Sequence, residues 1–251
     1  MRELIYKFFD MNKVTDKEDR KQLLEYIKYE KTHELFLIVL SKLRTNNRFC
    51  REKNLIELIS EILWTILNTA QKNNNYTLAK NCIILSQTFY YLDESKKEVY
   101  IVDKIKNHPW LSSYKFWKDF IFIMIVREFK KLENMYPESK LVINKNKNVT
   151  EDIKPKIGEI LFSQLFPYVG NMNEFDIKKK YIIKIISDIN KRFNYMSKAN
   201  LEAIIDIVCS SKEEIEQVQK DIDDDPELKE FCLNEQLINP NKGDDDDDDD
   251  E

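Results

Sequence analysis

Histidine and cysteine are the residue types in this chain that could supply nucleophilic or metal chemistry, and both are scarce. Two histidines, His33 and His108, stand far apart, and neither belongs to a His-Glu-x-x-His pattern. The four cysteines stand at Cys50, Cys82, Cys209 and Cys232. None of them has the short spacing of a metal site, and none is followed six residues later by arginine, as in the phosphate-binding loop of cysteine phosphatases.

A thiol can also act as a nucleophile if a distant imidazole meets it in space. A hydrolase built on Cys82 or Cys209 with His108 therefore remains an alternative. The favoured interpretation is that Cys82 and Cys209 are buried free thiols, because both stand in apolar helical patterns. The sequence then predicts no catalytic residue, no metal site and no cofactor.

Glycine is almost absent, which excludes the common phosphate-binding loops. The three glycines, Gly158, Gly170 and Gly243, are isolated, and none precedes a Lys-Ser or Lys-Thr pair. Sheet-rich folds use glycine in tight turns, so its scarcity favours helices joined by polar connections.

The turn at residues 107–110 contains two candidate binding residues, His108 and Trp110. An aromatic side chain beside a proline makes a rigid docking point, and tryptophan is enriched where partners bind tightly. In the alternative, which we favour, His108 ends the preceding helix and Trp110 fills the core. Phe116 and Phe120, at helical spacing, are likewise expected in the core.

Lys178, Lys179 and Lys180 are the other candidate binding residues, on a basic stretch that extends to Arg192. Clustered lysines can bind an anionic membrane surface. The interspersed acidic residues argue against nucleic acid, which selects a strongly basic stripe. The plain alternative is a solvated helix face.

Charge is divided unevenly between the body and the C-terminal end. From Asp221 onward there are fifteen acidic residues and two lysines, a net charge of −13, whereas residues 1–220 carry +8. Residues 244–251 are an unbroken acidic run, so we expect 221–251 to be a largely disordered tail. The tail could keep the protein in solution, fold back on the basic body and compete with an anionic partner, or bind a basic protein.

Hydrophobic spacing predicts an all-α fold, an irregular multi-helix bundle or short solenoid in one domain over residues 1–220. The predicted helices are 1–10, 15–30, 33–43, 54–70, 76–92, 98–106, 113–134, 157–172, 177–193, 197–209 and a last one from 211. Capping boxes are expected at Thr15–Glu18 and Ser211–Glu214. Residues 141–156 read as a long polar loop.

Phe120–Val126, apolar on every face, is placed at the centre of the fold. This run is too short to span a membrane, and the first ten residues lack the pattern of a signal peptide. With its unpaired thiols, the chain is expected to be soluble and cytoplasmic.

Several short segments follow one another in a recognisable order. They are Asn46–Cys50, Ala79–Asn81, Gln87–Tyr90, a Tyr100-centred segment leading to His108-Pro109-Trp110, Phe116-Trp117 at the start of a helix ending in Glu128, and Leu161–Met172. Over most of residues 20–210 this order resembles the helical SBF-type region of the SET-binding-factor proteins, which are myotubularin-related pseudophosphatases, and of its small stand-alone relatives.

The resemblance implies a helical region without catalytic residues of its own. The larger relatives join an exchange-factor module for Rab GTPases to membrane-binding and inactive phosphatase modules, which this chain has no room for. The leading hypothesis is therefore a non-enzymatic adaptor that binds an unidentified protein, linked by resemblance to membrane traffic or small-GTPase regulation. The alternative is a binder of polyanions, acidic lipid or nucleic acid, through residues 178–192 and gated by the acidic tail.

Overall fold

The computed structural model describes residues 1–11, 17–45, 48–50, 52–135, 151, 153–226 and 228. Across these ranges the chain forms eleven α-helices, a 3-10 turn at Glu30–Thr32 and one two-stranded hairpin, which confirms the all-α prediction. The helices are α1 (Arg2–Met11), α2 (Lys17–Ile27), α3 (His33–Leu43), α4 (Lys53–Lys72), α5 (Tyr76–Ser86), α6 (Val102–Ile105), α7 (Tyr114–Met135), α8 (Lys154–Glu174), α9 (Lys179–Phe193), α10 (Lys198–Val208) and α11 (Lys212–Asp223). The strands are β1 (Tyr90–Leu92) and β2 (Glu98–Tyr100).

Three helices begin at the capping residues that the sequence indicates. The side chains of Asn75, Ser197 and Ser211 each accept the backbone N–H three residues ahead, at 3.1 to 3.2 Å. Each bond satisfies one of the free donors at a helix start. At the last cap the carboxylate of Glu214 accepts the backbone N–H of Ser210 instead of completing a reciprocal box with Ser211.

Helix α4 lies in the middle of the N-terminal helices, in contact with α2, α5, α6 and β1. Its buried side chains recur at three- and four-residue steps, and burying each leucine or isoleucine contributes about 1.5–3 kcal/mol. They are Leu55, Ile56, Leu58, Ile59, Ser60, Ile62, Leu63, Ile66, Leu67 and Ala70.

Helix α7 holds the C-terminal helices together through contacts with α8 and α9, while α10 packs on α8 and α11 on α9. Four residues of the 120–126 run are buried, but Phe122 and Ile123 are half-buried, so this helix is enclosed more on one side than on the other. The guanidinium of Arg192 covers the Phe122 ring at 4.5 Å.

The two groups of helices meet along aromatic side chains. The Phe116 ring of α7 lies 4.6 Å from the Trp110 ring and 5.9 Å from the Tyr76 ring at the start of α5. One turn further along α7, the Phe120 ring stacks on Phe116 and meets Tyr168 of α8 at 4.8 Å. Such pairs contribute roughly 0.5–1.5 kcal/mol each beyond the buried area.

Two predicted helices, 76–92 and 98–106, are wrong in part. The end of the first and the start of the second form the hairpin instead. The carboxylate of Asp93 accepts the backbone N–H groups of Ser95 and Lys97 at 2.9 Å each. Lys96 adopts a left-handed φ of 63°, as required at the end of a three-residue hairpin loop. Glycine or asparagine usually takes this position, so a lysine there hides the hairpin in the sequence.

Other boundaries differ by a few residues. Helix α4 begins at Lys53 after Glu52, one residue before its predicted start at residue 54. Helix α8 begins at Lys154, inside the predicted 141–156 loop, with proline in its first turn, and it continues through Pro167.

Helical structure continues past residue 220, the predicted end of the domain. Helix α11 runs to Asp223, and Leu228 is buried. Thr15 and Asp16 of the first capping box, residues 141–150 of the predicted loop, Cys232 and the acidic run 244–251 lie outside the described residues. Among the helices of the described part, none has the length and apolar character to cross a lipid bilayer.

Gly158 marks the closest backbone approach in the C-terminal helices. A Cβ atom at this position of α8 would lie 2.4 Å from the carbonyl oxygen of Tyr195. The other glycine of α8, Gly170, has no such neighbour within 4 Å. The packing of α8 on the 194–196 turn therefore requires glycine at residue 158.

We predict opposite effects of alanine at these two glycines. Gly158→Ala should lower the free energy of unfolding by about 1–3 kcal/mol, because backbone must move to relieve the contact. Gly170→Ala, the matched control, should raise it by about 0.5–1 kcal/mol through helix propensity. Urea unfolding followed by circular dichroism measures both, and equal effects of the two variants would contradict this packing.

Candidate functional site

His108 is buried, and both of its ring nitrogens are hydrogen-bonded. The backbone N–H of Trp110 donates to Nδ1 at 3.3 Å, so this nitrogen carries no proton. Nε2–H then donates to Oδ1 of Asn68 on α4 at 3.0 Å. The Trp64 ring packs edge-on at 4.7 Å. Burial lowers the pKa of His108, so the neutral imidazole joins the turn to α4.

Trp110 also faces the interior, with 8 % of its surface exposed. Its ring lies against Tyr76 and Phe116, at 5.4 and 4.6 Å. This placement is the one expected if residues 107–110 pack the core. Neither His108 nor Trp110 presents a docking surface to a partner.

The three candidate lysines do not form a free basic patch. Lys179 is paired with Glu214 of α11, and Lys180 lies 2.5 Å from a carboxylate oxygen of Asp225. Lys178 is exposed, with its ammonium 5.7 Å from the centre of the Tyr181 ring. The ion pairs raise the pKa values of Lys179 and Lys180. The acidic side chains that follow α10 therefore neutralise much of the charge at the start of α9.

The thiols and imidazoles of the described residues do not assemble a reactive site. Cys50, Cys82 and Cys209 are buried, and burial raises the pKa of each thiol, to about 12 for Cys50. The thiolate is the reactive form of cysteine, so these groups are unreactive at neutral pH. Neither nitrogen of His108 contacts a thiol. Within the described ranges no three His, Cys, Asp or Glu residues are grouped to hold a metal.

A surface that the sequence did not indicate lies on the hairpin. Tyr90 pairs with Tyr100 across the strands, Leu92 pairs with Glu98, and Phe49 forms a parallel bridge to Tyr90. Partners in such pairs point to the same side of a sheet. We call this side, formed by Phe49, Tyr90, Leu92, Glu98 and Tyr100, the hairpin face.

The aromatic rings of the hairpin face form a continuous row. The Tyr90 ring lies 5.7 Å from Phe49 and 5.2 Å from Tyr100. Phe49 is 39 % exposed and Leu92 44 % exposed, whereas the two tyrosines are half-buried. Tyr29 and Phe166 are also exposed, but the hairpin face gathers three rings and a leucine side by side, which makes it a candidate surface for a partner.

An open groove of about 550 Å³ lies beside the rings. Arg44 follows the last residue of α3 as its C-cap, where a cation is favoured by the helix dipole. The Nε–H of Arg48 donates to the backbone carbonyl oxygen of Arg44 at 3.0 Å, which ties the Arg48 side chain to the end of this helix. The groove is lined by Arg44, Thr45, Arg48, Gln87, Thr88, Tyr90, Glu98 and Tyr100.

Glu98, the one carboxylate that lines the groove, already accepts a hydrogen bond. The hydroxyl of Tyr100 donates to Glu98 at 2.6 Å, and this bond raises the pKa of Tyr100 to about 12. No carboxylate among the described residues pairs with the guanidinium of Arg44 or Arg48. The groove thus combines aromatic surface with two arginines that have no acidic partner in the described structure.

A second groove, of about 490 Å³, lies between α2 and α4. It is lined in part by Lys17, Lys21 and Leu24, and Arg20 forms an ion pair with Glu61 across it at 2.7 Å. It exposes no aromatic ring, so it offers a partner less surface for tight binding than the hairpin face.

No protein-family model, curated protein or solved structure matches the chain. The geometry of the molecule is therefore the basis for any conclusion about its function.

The local role of His108 predicts a specific pH dependence. The pKa of His108 is lower in the folded protein than in the unfolded chain, where it is about 6.5. The contribution of His108 to the free energy of unfolding is therefore complete above about pH 6.5. It is lost as the pH falls toward the pKa of the folded state. We expect His108→Gln to lower the free energy of unfolding by about 1–2 kcal/mol at about pH 8. The penalty should shrink toward about pH 5, because the variant lacks this proton linkage. Unfolding titrations across this range test the expectation, and a penalty that grows with acidity would contradict it.

The buried thiols predict slow alkylation of the native protein. Iodoacetamide near neutral pH should modify Cys50, Cys82 and Cys209 only at the rate of opening, and rapidly once urea unfolds the chain. Mass spectrometry of tryptic peptides gives the rate for each cysteine. Fast modification of native Cys82 or Cys209 would revive the hydrolase alternative.

Proposed function

We propose that the chain is a non-enzymatic helical module that binds another protein through its hairpin face. The observation that carries the proposal is the row of partly exposed rings at Phe49, Tyr90 and Tyr100 beside Arg44 and Arg48. Tyrosine and arginine are enriched among the residues that dominate binding energy at protein interfaces. Tyrosine supplies a large apolar area at low entropic cost.

The rigidity of the hairpin face supports this role. The backbone of Tyr90 bonds to residues 48 and 50, with its N–H donating to the Arg48 oxygen at 3.2 Å and its oxygen accepting the Cys50 N–H at 2.8 Å. Side chains on such a paired strand are held in place before a partner arrives. Preorganised side chains lose less entropy on binding, which raises affinity.

The state of the candidate reactive groups also favours binding over catalysis. The thiols are buried with raised pKa values, and both nitrogens of His108 are engaged in hydrogen bonds. The resemblance of the sequence to the SET-binding-factor region agrees with an adaptor role. On that resemblance we further propose that the partner acts in membrane traffic or small-GTPase regulation and that the protein works in the cytoplasm.

The alternative function, polyanion binding through residues 178–192, has less support. Lys179 and Lys180 would have to leave Glu214 and Asp225 to reach a lipid headgroup or a nucleic-acid phosphate. Each exchange gives up one ion pair to form another, so little binding energy is gained.

A photocrosslinker at residue 92 tests the proposed function. A benzoylphenylalanine at this exposed position should crosslink a reproducible protein in cell extract, whereas the same group at exposed Glu202 on α10 should not. Excess unlabelled protein should compete with the crosslink, and excess Tyr100→Ala should compete at least about tenfold less well. Identical products from positions 92 and 202, or crosslinks only to a second copy of the chain, would contradict the proposal.

A further inference from the structure

We propose that the groove beside the hairpin face takes an extended, acidic segment of the partner protein, with carboxylates bound by Arg44 and Arg48. The inference rests on the proposed function and adds the chemistry of the partner. Its physical basis is the charge and hydrogen-bonding state of the groove.

The two arginines provide the attraction for an anionic side chain. Their guanidinium groups have no carboxylate partner among the described residues, and Glu98 is held by the hydroxyl of Tyr100. Arginine donates in a fork that matches a carboxylate, and such charge-assisted bonds are about twice as strong as neutral ones. The Arg48 Nε bond to the Arg44 backbone oxygen holds the Arg48 side chain at the groove before binding.

The neighbouring side chains select apolar residues beside the acid. Phe49 and Leu92 are the most exposed apolar members of the hairpin face, at 39 % and 44 %. A segment that places a carboxylate on the arginines would lie against these side chains with its adjacent residues. The favoured sequence therefore alternates acidic with aliphatic or aromatic residues.

The partner segment lies across the face and does not extend the sheet. At the outer edge of β2 the backbone N–H of Tyr100 donates to the carboxylate of Asp103 at 3.2 Å. This bond occupies a donor that an added strand would need. The inner edge of the hairpin is already paired with residues 48–50. Side-chain contacts, and not strand addition, must hold the segment.

The charge around the groove disfavours a single-stranded nucleic acid, which aromatic rings and arginines could otherwise bind. Residues 90–103 contain four acids, Asp93, Glu94, Glu98 and Asp103, against two lysines. A polynucleotide brings one phosphate per residue and would meet the negative charge of the hairpin as it extends past the arginines. A peptide with one or two carboxylates would not.

Selection from a random heptapeptide display library tests the inference. The wild-type chain should enrich acidic peptides that contain aliphatic or aromatic residues, and the double variant Arg44→Glu, Arg48→Glu should not. The enriched peptide, labelled and titrated by fluorescence anisotropy, should bind at least about tenfold more weakly when its acidic residues become glutamine. Raising the salt concentration should weaken binding of the acidic form only.

A matched control has the same change in net charge on another part of the molecule. Lys198→Glu with Lys212→Glu alters two exposed residues at the first positions of α10 and α11, where acids favour the helix. This control should retain affinity within about twofold, and both double variants should keep the thermal midpoint of a folded protein. The milder pair Arg44→Lys, Arg48→Lys should bind with intermediate affinity, since it keeps the charge and loses the fork.

Three results would overturn the inference. They are enrichment of peptides without acidic bias, equal loss of affinity in the control, and tighter binding of an octauridylate than of the selected peptide. If the residue 92 crosslink persists in the face of any of them, the proposed function stands and only the chemistry of the partner is wrong. If excess Tyr100→Ala instead competes with the crosslink as well as the unlabelled wild-type protein does, the proposed function itself is wrong.

Discussion

Strand β1 is hydrogen-bonded along both of its edges, and this pairing fixes the exposed side chains of the molecule. Residues 48 and 50 bond to Tyr90 on one side, and β2 pairs in antiparallel register on the other. A two-residue register shift or a helical continuation of α5 would separate Tyr90 from Tyr100. Because an isolated hairpin is marginal in water, its stability comes from these anchors and from the buried Phe89 and Ile101 at its base.

The aromatic side chains of the molecule divide between the core and the surface. All three tryptophans pack inward, and Trp117 is fully buried with its indole N–H donating to the Leu111 oxygen at 2.7 Å. Tryptophan is the residue that would most strongly indicate an interface, and here it serves the core. Tyr29 and Phe166 are exposed elsewhere, but Phe49, Tyr90 and Tyr100 are the rings gathered side by side on the hairpin face. In the proposed function, recognition is carried by this small sheet, which packs against helices that support it.

Local patterns predicted most of the helices, because a cap or an apolar stripe depends on residues within one or two turns. Ser197 and Ser211 begin helices as expected, and Ile182 and Ile186 are buried on the predicted face of α9. The hairpin could not be predicted in this way, because its loop has a lysine where glycine or asparagine is usual and β1 is supported by a bridge to Phe49, some forty residues earlier. Its remaining signal was the β-favouring run at Tyr90–Leu92.

The candidate site was harder to predict than the fold, since partners from distant elements decide what a side chain can do. Lys179 and Lys180 look basic in sequence, and only the docking of α11 on α9 shows their ion pairs. Arg44 and Arg48 look ordinary, and only the fold places them beside two tyrosines.

The central claim is the register of the hairpin, and proton nuclear Overhauser contacts test it directly. Residues 90 and 100 form a non-hydrogen-bonded pair, so their Cα atoms approach to about 4.5 Å and their α-protons should show a strong cross-strand contact. Its observation would support the hairpin face and the groove beside it. A helical series of contacts between residues three apart through Gln87–Leu92, without the Tyr90–Tyr100 contact, would contradict the account.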